Sequence, residues 1–332
     1  MKHKYILLIC SVAALAVLPS CHKDDEDDTT MPYLDGTLSF KMPMFVLQGE
    51  QFTLVPVGAS NPSGGGVGYS WTSSWTSKPD TVKRENGTGD GSWTVSVPSE
   101  TGSYTVTVSA FAKNYYSIGA TNAFTVVDPS VEGSLKGANY QVDSVKLTDS
   151  RDGATYYLRT AGGKVWMQNN LYYSGSGVSY FYCTAMDRIV GRFYNWNEAV
   201  SACPEGWHLP SDSEFAALAG KASEEFTRGE TLEGSAGTVM ADVTFNDGKM
   251  WTFWPQVNIT NSTGFSAIPI GYAVDQGESQ KYNGTNAYAV FWTSDDDGDT
   301  GLYRYIYMDK DNIYSARGDK VSFRASVRCV RD

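Results

Sequence analysis

The sequence predicts a two-sheet β-sandwich followed by an α+β domain, behind a short apolar leader. Three observations carry this reading. Between residues 51 and 108 apolar side chains recur at every second position, as half-buried strands require. Around Cys203 two short segments show helical spacing and a capping signal. The chain opens with Lys2 and Lys4, an apolar run from Tyr5 to Leu18, and a cysteine at position 21.

The leader comes first. A charged start, an apolar core too short to span a bilayer as a permanent helix, and a small residue before the cut read as a secretory signal over residues 1–20. Leu18-Pro19-Ser20-Cys21 resembles the bacterial lipoprotein signal, which makes Cys21 the expected site of lipid attachment. Residues 21–34 form an acidic tether, with Lys23-Asp24-Asp25-Glu26-Asp27-Asp28 at its start. This run resembles the export signal that follows the lipidated cysteine in surface lipoproteins of the Bacteroides group. It implies an outer-membrane protein, anchored through the Cys21 acyl chains and facing outward.

Loss of the leader's two lysines takes the net charge from −11 to −13. Such a balance argues against nucleic acid or anionic lipid headgroups as partners, because both select a basic face. About 310 residues remain, enough for two domains.

Residues 35–128 form the expected sandwich. Gln51 to Val57, Ser92 to Val97 and Gly102 to Val108 alternate, and turn-rich pieces at 60–66 and 86–91 separate them. Tyr69-Ser70-Trp71 and Gly102-Ser103-Tyr104-Thr105-Val106 resemble the central and late strands of bacterial Ig-like or PKD-type domains, Tyr104 standing as a corner tyrosine. The expected role is that of a spacer. Asp128-Pro129-Ser130 and Gly133-Ser134 interrupt the alternation and mark residues 129–137 as a linker.

Residues 138–332 hold the second domain. Trp196, Ala199, Val200 and Cys203 fall on one face of a helix. Pro210 precedes Ser211, which with Glu214 has capping-box spacing and opens a helix burying Phe215, Leu218, Ala219 and Ala222. An ordered set of blocks runs through the domain: Asp149 to Tyr156, Lys164-Val165-Trp166-Met167-Gln168-Asn169-Asn170-Leu171, Gly191 to Trp196, Cys203-Pro204-Glu205-Gly206-Trp207-His208-Leu209-Pro210-Ser211, Gly264-Phe265-Ser266-Ala267, Phe291-Trp292-Thr293-Ser294 and Ser326-Val327-Arg328-Cys329-Val330. This set resembles the Fibrobacter succinogenes major paralogous domain. The resemblance implies a C-type-lectin-like fold. Cys203 and Cys329 are then expected to pair in an oxidising compartment, two buried thiols being the alternative. Cys183 is left as a buried free thiol.

Catalytic signals are sparse. The mature chain has two histidines, His22 in the tether and His208 between Trp207 and Leu209, where a structural hydrogen-bonding role is expected. There is no zinc spacing, phosphate loop or nucleophile elbow. The related lectin-like enzymes that make formylglycine need a reactive cysteine pair near the C-terminus, where Cys329 stands alone. No cofactor is expected except possible calcium on Asp295, Asp297 and Asp299, which are closely spaced around Gly298. Trp251 and Trp254 are candidate sugar-stacking residues. Tyr303, Tyr305 and Tyr307 share one strand face and are read as core, with Arg304 opposite. The expected function is non-enzymatic capture of a glycan or surface-protein ligand, with a structural or accessory role in a surface appendage or uptake complex as the alternative.

Overall fold

The alternating segments form strands, and hydrophobic burial fixes their register. The computed structural model describes residues 31–75, 78–87, 89–251, 257–308 and 310–332. In the N-terminal half a five-stranded sheet runs in the order Phe45–Leu47, Ile118–Val127, Gly102–Phe111, Gly68–Trp75, Lys78–Asn86. Gln51–Leu54 and Trp93–Ser96 form a separate two-stranded sheet. Both sheets feed one core holding Leu54, Trp71, Val95, Val106, Val108 and Val126. Along Gly102–Phe111 the buried residues are Tyr104, Val106, Val108 and Ala110, the period-2 face read from sequence. The fully buried Trp71 donates its indole N–H to the Gly91 carbonyl at 2.8 Å, so the polar end of the core's largest ring is satisfied.

The C-terminal half is also β-rich. One sheet runs Trp207–His208, Val330–Arg331, Lys164–Met167, Thr155–Ala161, Lys146–Thr148. A second runs Val178–Ser179, Arg192–Asn195, Phe323–Ala325, Tyr272–Gln276, Ser279–Asn283. A third runs Leu232–Glu233, Asn312–Asp319, Thr300–Tyr307, Tyr288–Asp297. Four short helices connect them: α1 (Asp187–Val190), α2 (Trp196–Ala202), α3 (Asp212–Leu218) and α4 (Ala236–Val239).

Ser211 and Glu214 make the predicted capping box of α3, with both reciprocal bonds present. α2 has one as well, from Asn195 and Glu198, which sequence reading missed. Two helix positions need correcting. Val200 is 43 % exposed, because α2 buries Ala199 and Ala202 instead. Ala222 is exposed and Ala219 only half-buried, because α3 stops at Leu218.

Residues expected to link the halves are partly built into the second one. Leu135–Lys136 pairs with Thr244–Phe245, and Ser134, Leu135 and Ala138 are buried. The two halves share apolar packing. Phe45 and Val127 belong to the same cluster as Tyr180, Leu135 and Met240. The Phe45 ring lies 5.9 Å from Tyr180 and 6.2 Å from Phe245. Asn246 donates its side-chain amide to the Val126 carbonyl at 3.1 Å.

Cys203 and Cys329 form a disulfide across a sequence separation of 126, with Cα atoms 5.8 Å apart. Cys183 is a free, buried thiol whose S–H donates to the Phe181 carbonyl.

The sequence blocks turn out to brace the interior. Arg328 is fully buried, and among the described residues no carboxylate pairs with it. Its guanidinium donates to Asn170 Oδ1 at 2.6 Å, to the Ser266 carbonyl at 3.0 Å and to the Phe265 carbonyl, and lies 4.6 Å over the Phe265 ring. Burial pushes its pKa down to about 10. Gln168 donates to the Gly264 carbonyl, so three separate blocks meet around one cation.

Asp149 is buried and accepts from Arg151 Nε and Nη2 at 2.9 and 2.7 Å. Arg151 also donates to the Ala202 carbonyl at the C-terminus of α2, where a cation complements the helix dipole. Burial alone would raise the Asp149 carboxyl, but Arg151 outweighs it and the pKa is lowered. A depressed carboxylate contributes stability that is present above its unfolded pKa and lost as pH falls through the folded one. The expected result is an Asp149→Asn variant clearly less stable than the native chain at pH 7, with the gap narrowing below about pH 4. Urea midpoints at pH 7 and pH 3 check this; a gap of equal size at both would rule the coupling out.

Candidate functional site

The strands Tyr288–Asp297, Thr300–Tyr307 and Asn312–Asp319 carry opposite chemistry on their two faces. On Thr300–Tyr307 the buried residues are Gly301, Leu302, Arg304 and Ile306, and the half-buried ones are Thr300, Tyr303, Tyr305 and Tyr307. This reverses the sequence-based reading, in which Arg304 marked the outer face. Arg304 turns inward because Asp212 supplies a buried carboxylate and the Glu230 carbonyl accepts a second bond. The tyrosines are half-buried on the other face, where Tyr303 and Tyr305 pack against the apolar cluster of Val290 and Trp292, so the expectation that they serve the core holds for these two while that for Arg304 does not.

Cross-strand register lines the rings up. Tyr288 faces Tyr307, and Tyr305 faces Tyr314. Ring centroids are 4.4 Å apart in the first pair and 5.1 Å in the second, both stacked. Tyr303 stacks on Phe323 at 4.7 Å, and Phe323 on Tyr272 at 5.1 Å. Tyr303 and Tyr305 are 5.9 Å apart, which joins the groups into one continuous aromatic surface. Rings stacked this way spend their faces on one another. Burial first, then the neighbouring phenols, push the Tyr303 hydroxyl up to about 12.

The residues singled out from sequence lie elsewhere. Cys21 and Trp254 fall outside the described residues. Trp251 is 1 % exposed and donates its indole N–H to the Ala241 carbonyl at 3.0 Å. It is a core ring with no open face for a sugar, which corrects the expectation for this residue. Aromatic composition alone did not separate a core indole from an exposed one.

The acidic loop follows a bulge after Trp292 in the strand pairing. Its carboxylates point to cations already in the chain. Asp297 pairs with Arg228 and Arg317, and Asp296 with Lys320 at 2.8 Å. Asp295 accepts the Asp212 amide at 2.7 Å and lies 3.9 Å from Arg228. Asp299 is exposed, and its backbone carbonyl accepts from Lys320. Arg317 first, then Arg228, holds the Asp297 carboxyl below its usual range. Among the described residues no group of three or more His, Cys, Asp or Glu side chains is arranged to hold a metal. Calcium needs six to eight oxygens. Of the three carboxylates expected to take calcium, Asp297 and Asp295 thus lie beside arginine and Asp299 is exposed.

His208 is the one histidine among the described residues. Its Nδ1 lies 2.5 Å from Asp332 and its Nε2 3.1 Å from Glu214. Both ring nitrogens are thus engaged at the join between the last residues and α3. Burial alone would raise Glu214, but the Ser211 amide and His208 lower it.

These features define a β-rich protein whose C-terminal half is closed by one disulfide and carries a half-buried, tyrosine-lined sheet face. The chain belongs to the family described as the Fibrobacter succinogenes major domain, whose model matches residues 160–331. That span takes in both disulfide cysteines and every ring of the tyrosine-lined face. Among curated proteins none matches the chain.

Proposed function

We propose that the protein is a surface-exposed lipoprotein that captures a glycan or a protein ligand through its C-terminal head, without catalysis. The half-buried Tyr307 and Tyr314, at the rim of the tyrosine-lined face, carry this reading. Tyrosine offers a large amphipathic contact at low entropic cost, and for that reason it is enriched where proteins recognise other molecules. Neighbouring rings hold each other in place, which lowers the cost of ordering them on binding.

The head is read as C-type-lectin-like and the N-terminal half as an Ig-like spacer. In support of the latter, the Tyr104 hydroxyl donates to the Glu100 carbonyl four residues upstream, as corner tyrosines do in such sandwiches. The anchor is the lipid on Cys21, in the outer membrane and facing outward, on the strength of the leader and the acidic run. The absence of catalysis rests on His208, which is bracketed by two carboxylates, and on Cys183, which is buried. A second reading, as an accessory subunit of a surface assembly, draws support from the packing shared between the halves, since a rigid two-part body suits assembly.

The test is a glycan array and a surface-protein pull-down, run with the mature protein and with Tyr307→Ala and Tyr314→Ala. Each variant is expected to weaken binding by about tenfold, the usual effect of losing an interface aromatic. A Val321→Ala control is expected to leave it unchanged. Binding that survives the double tyrosine variant would sink the assignment of this face. Stable co-purification of subunits that ignores the tyrosines would favour the accessory reading.

A further inference from the structure

The N-terminal half has a second aromatic surface, far from the head. Met31, Tyr33, Phe111 and Tyr116 are 43 %, 65 %, 47 % and 39 % exposed. The Tyr33 and Tyr116 rings lie 5.2 Å apart. Their backbones form a parallel bridge, with the Tyr116 amide donating to the Pro32 carbonyl at 2.8 Å. Phe111 ends the Gly102–Phe111 strand, and residues 112–117 return the chain to Ile118–Val127. All four side chains therefore belong to one pole.

That pole is set by the strand Ile118–Val127. It starts beside Tyr116 and ends at Val127, which is packed in the apolar cluster shared with the head. Ten residues of strand span roughly 30 Å at about 3.3 Å each. The aromatic pole is thus at the end of the N-terminal half away from the head.

The covalent chain adds the second observation. Ten residues separate Cys21 from Met31, a reach of at most about 35 Å. An acyl chain on Cys21 keeps this pole within about 35 Å of the bilayer. Lys113 is the sole charged residue in the span 111–118, while the exposed Asp35 flanks Tyr33 and Asp24 to Asp28 lie in the tether, so the contact rests on the aromatic side chains and not on charge. Tyrosine and phenylalanine with a nearby lysine are the side chains that settle at the headgroup boundary, apolar body inward and polar end wet.

We propose that this pole is a membrane-contact surface, at which Met31, Tyr33, Phe111 and Tyr116 seat in the interface of the bilayer that holds the Cys21 lipid. The proposal rests on the lipid-anchor reading above. Four side chains do not bind a membrane strongly on their own. A tether of this length supplies an effective concentration in the millimolar range, which makes a weak contact persistent. The consequence is orientation: the head points away from the bilayer.

The experiment uses the mature chain in a Cys183→Ser background, coupled through Cys21 to a maleimide lipid in zwitterionic phosphatidylethanolamine–phosphatidylcholine vesicles. Hydrogen exchange of peptides covering 31–36 and 111–118 is compared between tethered and untethered protein. Tethering is expected to slow exchange there at least threefold, and to leave the head turn at 277–279 unchanged. The triple variant Tyr33→Ser, Phe111→Ser, Tyr116→Ser is expected to lose the protection. Equal exchange with and without tethering overturns the proposal, as does protection that persists in the triple variant. Protection that rises with protein concentration and needs no vesicle overturns it in favour of self-association. The intact mass of the protein from its own cell tests the Cys21 lipid separately, so failure of the anchor and failure of the contact are told apart.

Discussion

Serine at both Cys203 and Cys329 is expected to lower the unfolding free energy by about 4 kcal/mol. The bond closes a separation of 126 residues, and loop-closure entropy grows with the logarithm of that length. It also holds the edge of a small β ladder. Val330–Arg331 is only two residues long, yet it pairs with Lys164–Met167 on one side and Trp207–His208 on the other. The Cα separation of 5.8 Å lies within the ordinary range, so the native backbone accepts the bond without moving. Urea unfolding of the double serine variant measures the effect, and reduction of the native protein is expected to reproduce it. A loss under about 1 kcal/mol would mean that the unfolded chain gains little freedom when the bond is absent.

Asp212→Ala is expected to cost about 3 to 5 kcal/mol, because it strands a charge in the interior. Arg304 is 0 % exposed, and its Nε donates to Asp212. Its Nη2 has no partner among the described residues, so little remains to hold the cation once the carboxylate is gone. Asp212 also accepts the Gly229 amide at 2.7 Å, which ties α3 to the loop beside Arg228. Replacing Asp212 and Arg304 together with leucine is expected to cost less than Asp212→Ala alone, since the double change leaves no unpaired charge. Urea midpoints for the two singles and the double form the cycle. A double variant less stable than either single would show that the pair does more than neutralise itself.

The same pair explains where sequence reading went astray. An arginine between tyrosines at 303 and 305 reads as the wet face of a strand, since arginine is seldom fully buried unless paired. Its partner, Asp212, lies 92 residues away in sequence, and nothing local announces it. With Arg304 inside, parity places Tyr303, Tyr305 and Tyr307 on the opposite face, which is itself half-buried against Val290 and Trp292, so the strand has no fully wet side. The signal was present in part: tyrosine recurs on one parity here and again at Tyr314, and a phenol tolerates a half-wet position better than leucine does. Trp251 failed for the opposite reason. Local alternation around it is weak, and its burial depends on the Ala241 carbonyl and on the cluster around Met240 and Met250.

What the sequence determined by itself is whatever is written in short-range pattern or in covalent chemistry. Period-2 alternation specified the strands of the N-terminal half, and Ser211 with Glu214 specified the start of α3, because both depend on neighbours within a few residues. The ordered blocks specified the family, and an odd cysteine count outside the leader and Cys21 left one thiol over. What only the tertiary structure decided is which face of a strand is wet, which cation a carboxylate meets, and how the halves pack. Those outcomes depend on partners scores of residues apart: Arg304 on Asp212, Arg328 on Asn170 and Ser266, Phe45 on Tyr180. Burial of a charge is tolerated only where such a distant partner arrives, so no window of local sequence contains the answer.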